Sequence, residues 1–329
     1  MTRTSALSPP AVGEPSVAPS AAPVPSGVDR FDARLVAVAG ASTIALTAVF
    51  VALADASSAT VTFFRCALAL PLLAAVVVWR RLRWRFNVWH ALAGGFLGLD
   101  MVLWSESIAA VGAGVATVLV NVQVVIVPLV TLVLFREPVR VAFWATAPLL
   151  LGGVALAGGA VDSGLGGAGF GSDPLYGTVM GLLAGVAYAG YLVVLRRAGR
   201  RGEQVPMLIT INGAGALVAL VAGVGSGTLD LLPSLPTLGW VAVLAVTGQI
   251  VGWLLIGAAI PRLPAALGGT LLLVQPVGAV LLGVVILAER PSPLQLVGCA
   301  VVVASVALAA RAKQPEPTVG QGVVRTPST

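Results

Sequence analysis

Three ionisable side chains, Arg65, Asp100 and Glu106, stand inside long apolar runs, where each needs a chemical reason to be. An Arg at the centre of a membrane helix costs about 2.5–3.5 kcal/mol on insertion scales. Arg65 is therefore expected to have an acceptor, and Asp100 and Glu106 are the acids at comparable depth. One use of such a set is a structural Arg–carboxylate pair that pins two helices together. The other is an acid that binds solute or carries a proton, with Arg65 tuning its protonation. Six residues along a helix is roughly 600° of turn, so the two acids point about 120° apart and one guanidinium does not serve both. The sequence leaves open which of them it serves.

Asp100 and Trp104 are four residues apart and share a helix face. Gln249 and Trp253 repeat that spacing in a later segment. Polar–aromatic pairs of this kind suit a cavity wall, with apolar surface for most of a ligand and a few polar groups to orient it. Asn121, Gln123, Gln275, Tyr188 and Tyr191 are further candidates for the lining. The two glutamines read equally well as interhelical hydrogen-bond partners, worth about 0.6 kcal/mol on average, and the tyrosines as packing residues. His90 stands alone and is expected at the surface, while Cys66 and Cys299 sit inside apolar runs. Those residues suggest neither a metal site nor a disulfide framework, and no cofactor is expected. The sequence G-x-x-x-x-G-K-[ST] does not occur, so ATP is not expected to drive the protein directly.

The elements that must carry these groups follow from composition. The chain has 329 residues, 58% hydrophobic and 10% charged, with a mean hydropathy of +1.00. Soluble domains carry about 25% charge, so the implied solvent is the lipid bilayer. A net charge of +6 could suggest nucleic acid, but the arginines fall in short clusters between apolar runs, which is how membrane topology is written. Between residues 33 and 311 lie ten apolar segments near the ~20 residues needed to cross a bilayer. With the N-terminus cytosolic, all but two of the 19 Lys and Arg fall in inside segments or tails; the exceptions are Arg65 and Arg290. Both termini are then cytosolic in a multi-pass protein of the cell membrane. Trp79, Trp84 and Trp89 flank the first basic loop, where interfacial tryptophans are expected.

The chain also repeats itself. At a constant offset of 152, Ser107–Gly159 aligns with Ala259–Arg311, bringing Val122-Gln123 onto Val274-Gln275 and Glu137 onto Glu289. Each half has five spans, so the second copy is inserted upside down. The fold expected is all-α integral membrane, with ten transmembrane helices as two inverted five-helix repeats. The domains expected are a disordered tail at 1–32, repeats at 33–160 and 175–311, a Gly-rich linker at 161–174 and a disordered tail at 312–329.

The repeated stretches resemble the EamA-type transporters of the drug/metabolite transporter superfamily. One runs from Ser107-Ile108 through Ala113 and Ala116 to Arg136-Glu137-Pro138. The other runs from Ala259-Ile260 through Pro264-Ala265 to Gln275-Pro276 and Glu289-Arg290-Pro291. The chain departs from the family pattern in having Arg136 and Ala288 where Gly usually precedes Glu. Val124 in the first half stands opposite Pro276, and Pro128 is expected to supply the corresponding break one turn later. The resemblance implies a basket of helices around a central cavity, working by alternating access.

The function expected is secondary transport, by export or exchange, of a small metabolite, amino acid or drug-like solute, with proton coupling open. Inverted repeats place such a site at the midplane between the halves. The alternatives are an intramembrane lipid-acting enzyme and a non-transporting channel or sensor. Neither a catalytic polar cluster nor a repeated filter sequence supports them. The expected partners are lipid, the solute and protons, not nucleic acid. Gly94-x-x-x-Gly98 and Gly181-x-x-x-Gly185 leave a homodimer open.

Overall fold

A computed structural model describes residues 31–136, 139, 141–159, 172–198 and 204–311. The expected tails, apart from Phe31 and Asp32, lie outside the described residues, as do Glu137 and most of the expected linker. The helices are α1 (Ala33–Leu53), α2 (Ser58–Trp79), α3 (Val88–Val111), α4 (Ala113–Phe135), α5 (Val141–Ala157), α6 (Pro174–Ala198), α7 (Gln204–Ser226), α8 (Leu235–Arg262), α9 (Ala265–Leu272 and Val274–Ile286) and α10 (Pro293–Arg311). Among the described residues, nine of these are long and apolar enough to cross a bilayer, and α5 contributes a shorter apolar helix, Phe143–Ala157. Several starts are marked by a side chain that accepts from the first free backbone N–H groups, as short polar residues do at N-caps. Asp32 accepts from Arg34, Ser57 from Thr60, Asn87 from Trp89 and Ser234 from Thr237.

The two halves are interlocked. The first helix of each half packs against the other half: α1 lies on α8 and α9, and α6 lies on α3 and α4. Equivalent helices also pair, α2 with α7, α4 with α9 and α5 with α10, and α3 packs on α7. Small residues permit the close crossings. A Cβ on Gly98 would lie 2.6 Å from the Cα of Gly215, and one on Gly94 would strike the backbone of Ile211, so α3 and α7 touch backbone to backbone. Gly181 and Gly185 likewise face Leu119 and Val122 of α4. Both glycine pairs serve internal packing.

Helices α4 and α9 break at equivalent places, a 3₁₀ turn at Val120–Val122 and a kink at Leu273. Pro276 accounts for the second, since it has no N–H to return to the fourth preceding carbonyl. The first does not occur at Pro128, where the break was expected; the helix Gln123–Phe135 runs through that proline. The first break coincides with Asn121, whose Nδ2 donates to the carbonyls of Thr117 at 3.0 Å and Val118 at 3.3 Å. A side-chain donor there supplies carbonyls that the tightened turn disturbs. α8 carries its own irregularity, a π-helical stretch over Ala245–Gly252.

Tryptophans gather at one end of the bundle. Trp79 is 79% exposed beneath Arg80, and Trp89 lies beneath Arg197 at 5.0 Å. Nε1 of Trp84 donates to Thr210 at 3.2 Å. The start of α1 and the end of α8 meet where Arg262 donates to the carbonyl of Phe31 at 2.9 Å, and Gly269 approaches Ala310. This is the terminal end. His90, expected at the surface, is buried at 5% exposure near the start of α3, because neighbouring helices cover it.

Candidate functional site

A cavity of about 320 Å³ lies between the halves. It is walled by α1, α3, α4, α6, α8 and α9, with Arg65 of α2 and Val306 of α10 reaching in. Of the sequence candidates, it gathers Arg65, Asp100, Trp104, Asn121, Gln123, Tyr188, Trp253 and Gln275. The pseudo-equivalent glutamines Gln123 and Gln275 face it from opposite halves, each just past the break in its helix. They do not bond to each other among the described residues, and Oε1 of Gln123 has no partner.

Arg65 is 3% exposed and is held by an amide. Its Nη2 donates to Oε1 of Gln249 at 3.1 Å. Nε2 of Gln249 donates to Oδ1 of Asn212 at 2.7 Å, and Nδ2 of Asn212 donates to the carbonyl of Leu208 at 2.8 Å. The relay ties α2, α8 and α7 together and fixes the guanidinium beside Trp104, 6.0 Å from its ring centre. Gln249, just behind the wall, also lies 3.6 Å from the sulfur of Cys66. It sits within the π-helical turn, where the wider winding displaces a side chain from ordinary helical register. Asn212 was not singled out from the sequence. Its signal was nonetheless there, as the one Asn in the middle of a largely apolar α7.

Asp100 shares the cavity with Arg65 at 7% exposure. The two are close enough to feel each other's charge, yet no ion pair joins them among the described residues, and Oδ1 of Asp100 is buried without a hydrogen-bond partner. Nε and Nη1 of Arg65 are likewise without partners. Glu106 is elsewhere. It lies near the end of α3, where it accepts from the hydroxyl of Tyr176 at 3.1 Å, and it is not part of the cavity wall. Tyr191 packs behind the wall, between Tyr188 at 5.5 Å and Trp253 at 5.9 Å. Thr47 and Thr117 complete the polar lining; neither stands out in a sequence with many small residues.

The seam between α4 and α9 differs at its two ends. At the end away from the termini, Gly114 lies against Val280, where an added Cβ would come within 2.8 Å of the Val280 Cα. Glu289, in the loop between α9 and α10, reaches across to the start of α4. It accepts from the N–H of Ala113 at 2.5 Å and from that of Gly114 at 3.3 Å. A carboxylate suits that position because it meets the positive end of the helix dipole. Burial pushes the Glu289 carboxyl above its usual range, and the two N–H donors pull it partly back. At the terminal end, Gln123–Phe135 of α4 and Ala265–Leu272 of α9 show no comparable packing among the described residues.

Comparison with known proteins places this architecture. Residues 33–159 and 175–311 each match the model of the EamA-like transporter family. Relatives in two Escherichia coli strains, O45:K1 (S88) and O127:H6 (E2348/69), are described as probable 4-amino-4-deoxy-L-arabinose-phosphoundecaprenol flippase subunit ArnE. Each is 34% identical over 74 residues, covering 22% of this chain and 67% of the relative. A solved structure, described only as a crystal structure of protein, superimposes with a TM-score of 0.56 at 21% identity, covering 84% of this chain and 96% of that one. It shows a shared fold. With two family matches spanning the ten-helix bundle, the chain is a multi-pass membrane protein that belongs to the EamA-like transporter family.

Proposed function

We propose that the protein is a secondary transporter that carries a small solute through the central cavity by alternating access. The observation behind this reading is the unequal seam. The halves wall one cavity, and their pseudo-equivalent helices α4 and α9 are packed at one end and loose at the other. An inverted repeat can exchange those two states by letting each half adopt the conformation of its twin. With both termini cytosolic, as the arginine distribution predicts, the described state opens inward. The protein acts without catalysis, in the cell membrane. Asp100, the acid in the cavity, is the group that would carry a coupled proton; Glu106 is not.

The test is solute flux in sealed proteoliposomes with and without a pH gradient. Counterflow of a preloaded solute is expected in the wild type, with gradient dependence lost in Asp100→Asn and kept in Glu106→Gln. Absence of counterflow for amino acids, amphipathic cations and lipid-linked amino sugars alike would overturn the reading. The last class is included because of the name carried by the flippase relatives.

A further inference from the structure

We infer that the cavity takes a zwitterionic solute, its anionic group on Arg65 and its cationic group on Asp100. This rests on the reading of the cavity as the transport site, and it goes further by naming the charge class of what enters.

An arginine and an aspartate are buried in one cavity without being committed to each other. Arg65 spends Nη2 on a neutral amide, which fixes the side chain and leaves its charge uncompensated. Nε and Nη1 remain free, so donors with the geometry for carboxylate or phosphate recognition are available. Asp100 keeps Oδ1 without a donor. Were the pair purely structural, direct contact would be the stable arrangement, because removing one charge from water without its partner costs more than burying the two together. Separation leaves both sites to be completed from outside. The chemistry of the occupant follows from the sum. A simple anion would satisfy Arg65 and crowd Asp100 with like charge; a simple cation would do the reverse. Only a solute carrying both charges satisfies both. Leu97, Met101, Trp104 and Trp253 supply apolar wall for the rest of the molecule. A volume of about 320 Å³ holds a small body, at the lower end of ligand cavities.

The experiment uses the full-length protein in nanodiscs and three probes of one shape: L-norleucine, hexanoate (no ammonium group) and pentylamine (no carboxylate). Binding is read by quenching of tryptophan fluorescence, since Trp104 and Trp253 line the cavity. Norleucine is expected to bind about tenfold or more tighter than either single-charge analogue, the range of a hydrogen bond to a charged group. Arg65→Gln should erase its advantage over pentylamine, and Asp100→Asn its advantage over hexanoate. Arg65→Lys and Asp100→Glu should keep part of each. Equal binding of norleucine and either analogue by the wild type, or no binding of any, overturns the inference without recourse to variants. Norleucine preference in a protein that moves no solute across vesicles would defeat the transport reading and leave this one standing. Transport by a protein that prefers pentylamine would do the opposite.

Discussion

Nη2 of Arg65 donates to Oε1 of Gln249 across 3.1 Å, joining positions 184 residues apart in the two halves. An amide holds a guanidinium in place without cancelling its charge, whereas a carboxylate would do both. Gln249→Glu gives up the donor to Oδ1 of Asn212 but gains an ion pair with Arg65, so it is expected to stay closer to wild-type stability than Gln249→Leu while losing solute transport. Gln249→Leu leaves Nη2 of Arg65 and Oδ1 of Asn212 unpaired, at roughly 1–3 kcal/mol, and should lose both stability and transport. Thermal unfolding beside vesicle flux separates the two variants. Wild-type flux in Gln249→Glu would show that the charge of Arg65 is idle.

The backbone adopts left-handed geometry at Arg136 and Ala288, with φ of +54° and +53°, at equivalent positions of the two repeats. The departure from Gly noted in both halves thus falls where Gly has the advantage, since a Cβ there costs on the order of 1 kcal/mol. Both side chains are exposed, so little packing is lost on removing them. Arg136→Gly and Ala288→Gly are each expected to raise stability by about 1 kcal/mol. Unchanged or lowered melting temperatures in both would contradict this.

Glu289 gives a pH dependence with a defined sign. Burial raises its folded-state value above the ordinary 4.5, so the folded protein takes up a proton more readily than the unfolded chain. The stability this contributes is fully present below the ordinary value and is lost as pH rises through the raised one. Glu289→Gln, which keeps an acceptor for Ala113 and Gly114 and carries no charge, should flatten the melting temperature across that window. Glu289→Ala removes the acceptor and should cost about 1 kcal/mol at every pH, as for other lost N-caps. A wild-type curve that rises with pH over the same range would reverse the assignment.

The architecture could be read from the sequence because it is written in quantities that survive folding: length of apolar runs, placement of arginine and the offset of 152. The lining of the candidate cavity was readable only in part. Asp100, Trp104, Gln123 and Gln275 announce themselves as polar or aromatic residues at helical spacing or at repeat-related positions. Which acid faces Arg65 depends on how α2, α3 and α6 are rotated about their axes, and near-uniform apolar helices carry almost no periodic signal to fix that rotation. Glu106 met Tyr176 of α6 instead of the cavity for this reason. The π-helical turn around Gln249 and the break at Val120–Val122 were equally hidden, since neither is marked by a proline.

Gly114 offers the most direct probe of alternating access. It lies against Val280 at the closed end of the seam, and a Cβ placed there would come within 2.8 Å of the Val280 Cα. A large side chain at this position has no room in the packed state but would be tolerated once α4 and α9 part. Gly114→Leu is therefore expected to wedge the seam open at the Glu289 end. The readout is Thr117→Cys, because Thr117 lines the cavity near that end, in a background with the buried Cys66 and Cys299 replaced by Ala. A membrane-impermeant maleimide added from the Glu289 side should label this cysteine slowly in the parent and at least about tenfold faster with Gly114→Leu, the response to a shift of roughly 1.4 kcal/mol between two states. Equal labelling rates in folded samples of both would mean that the seam at Gly114 does not gate the cavity.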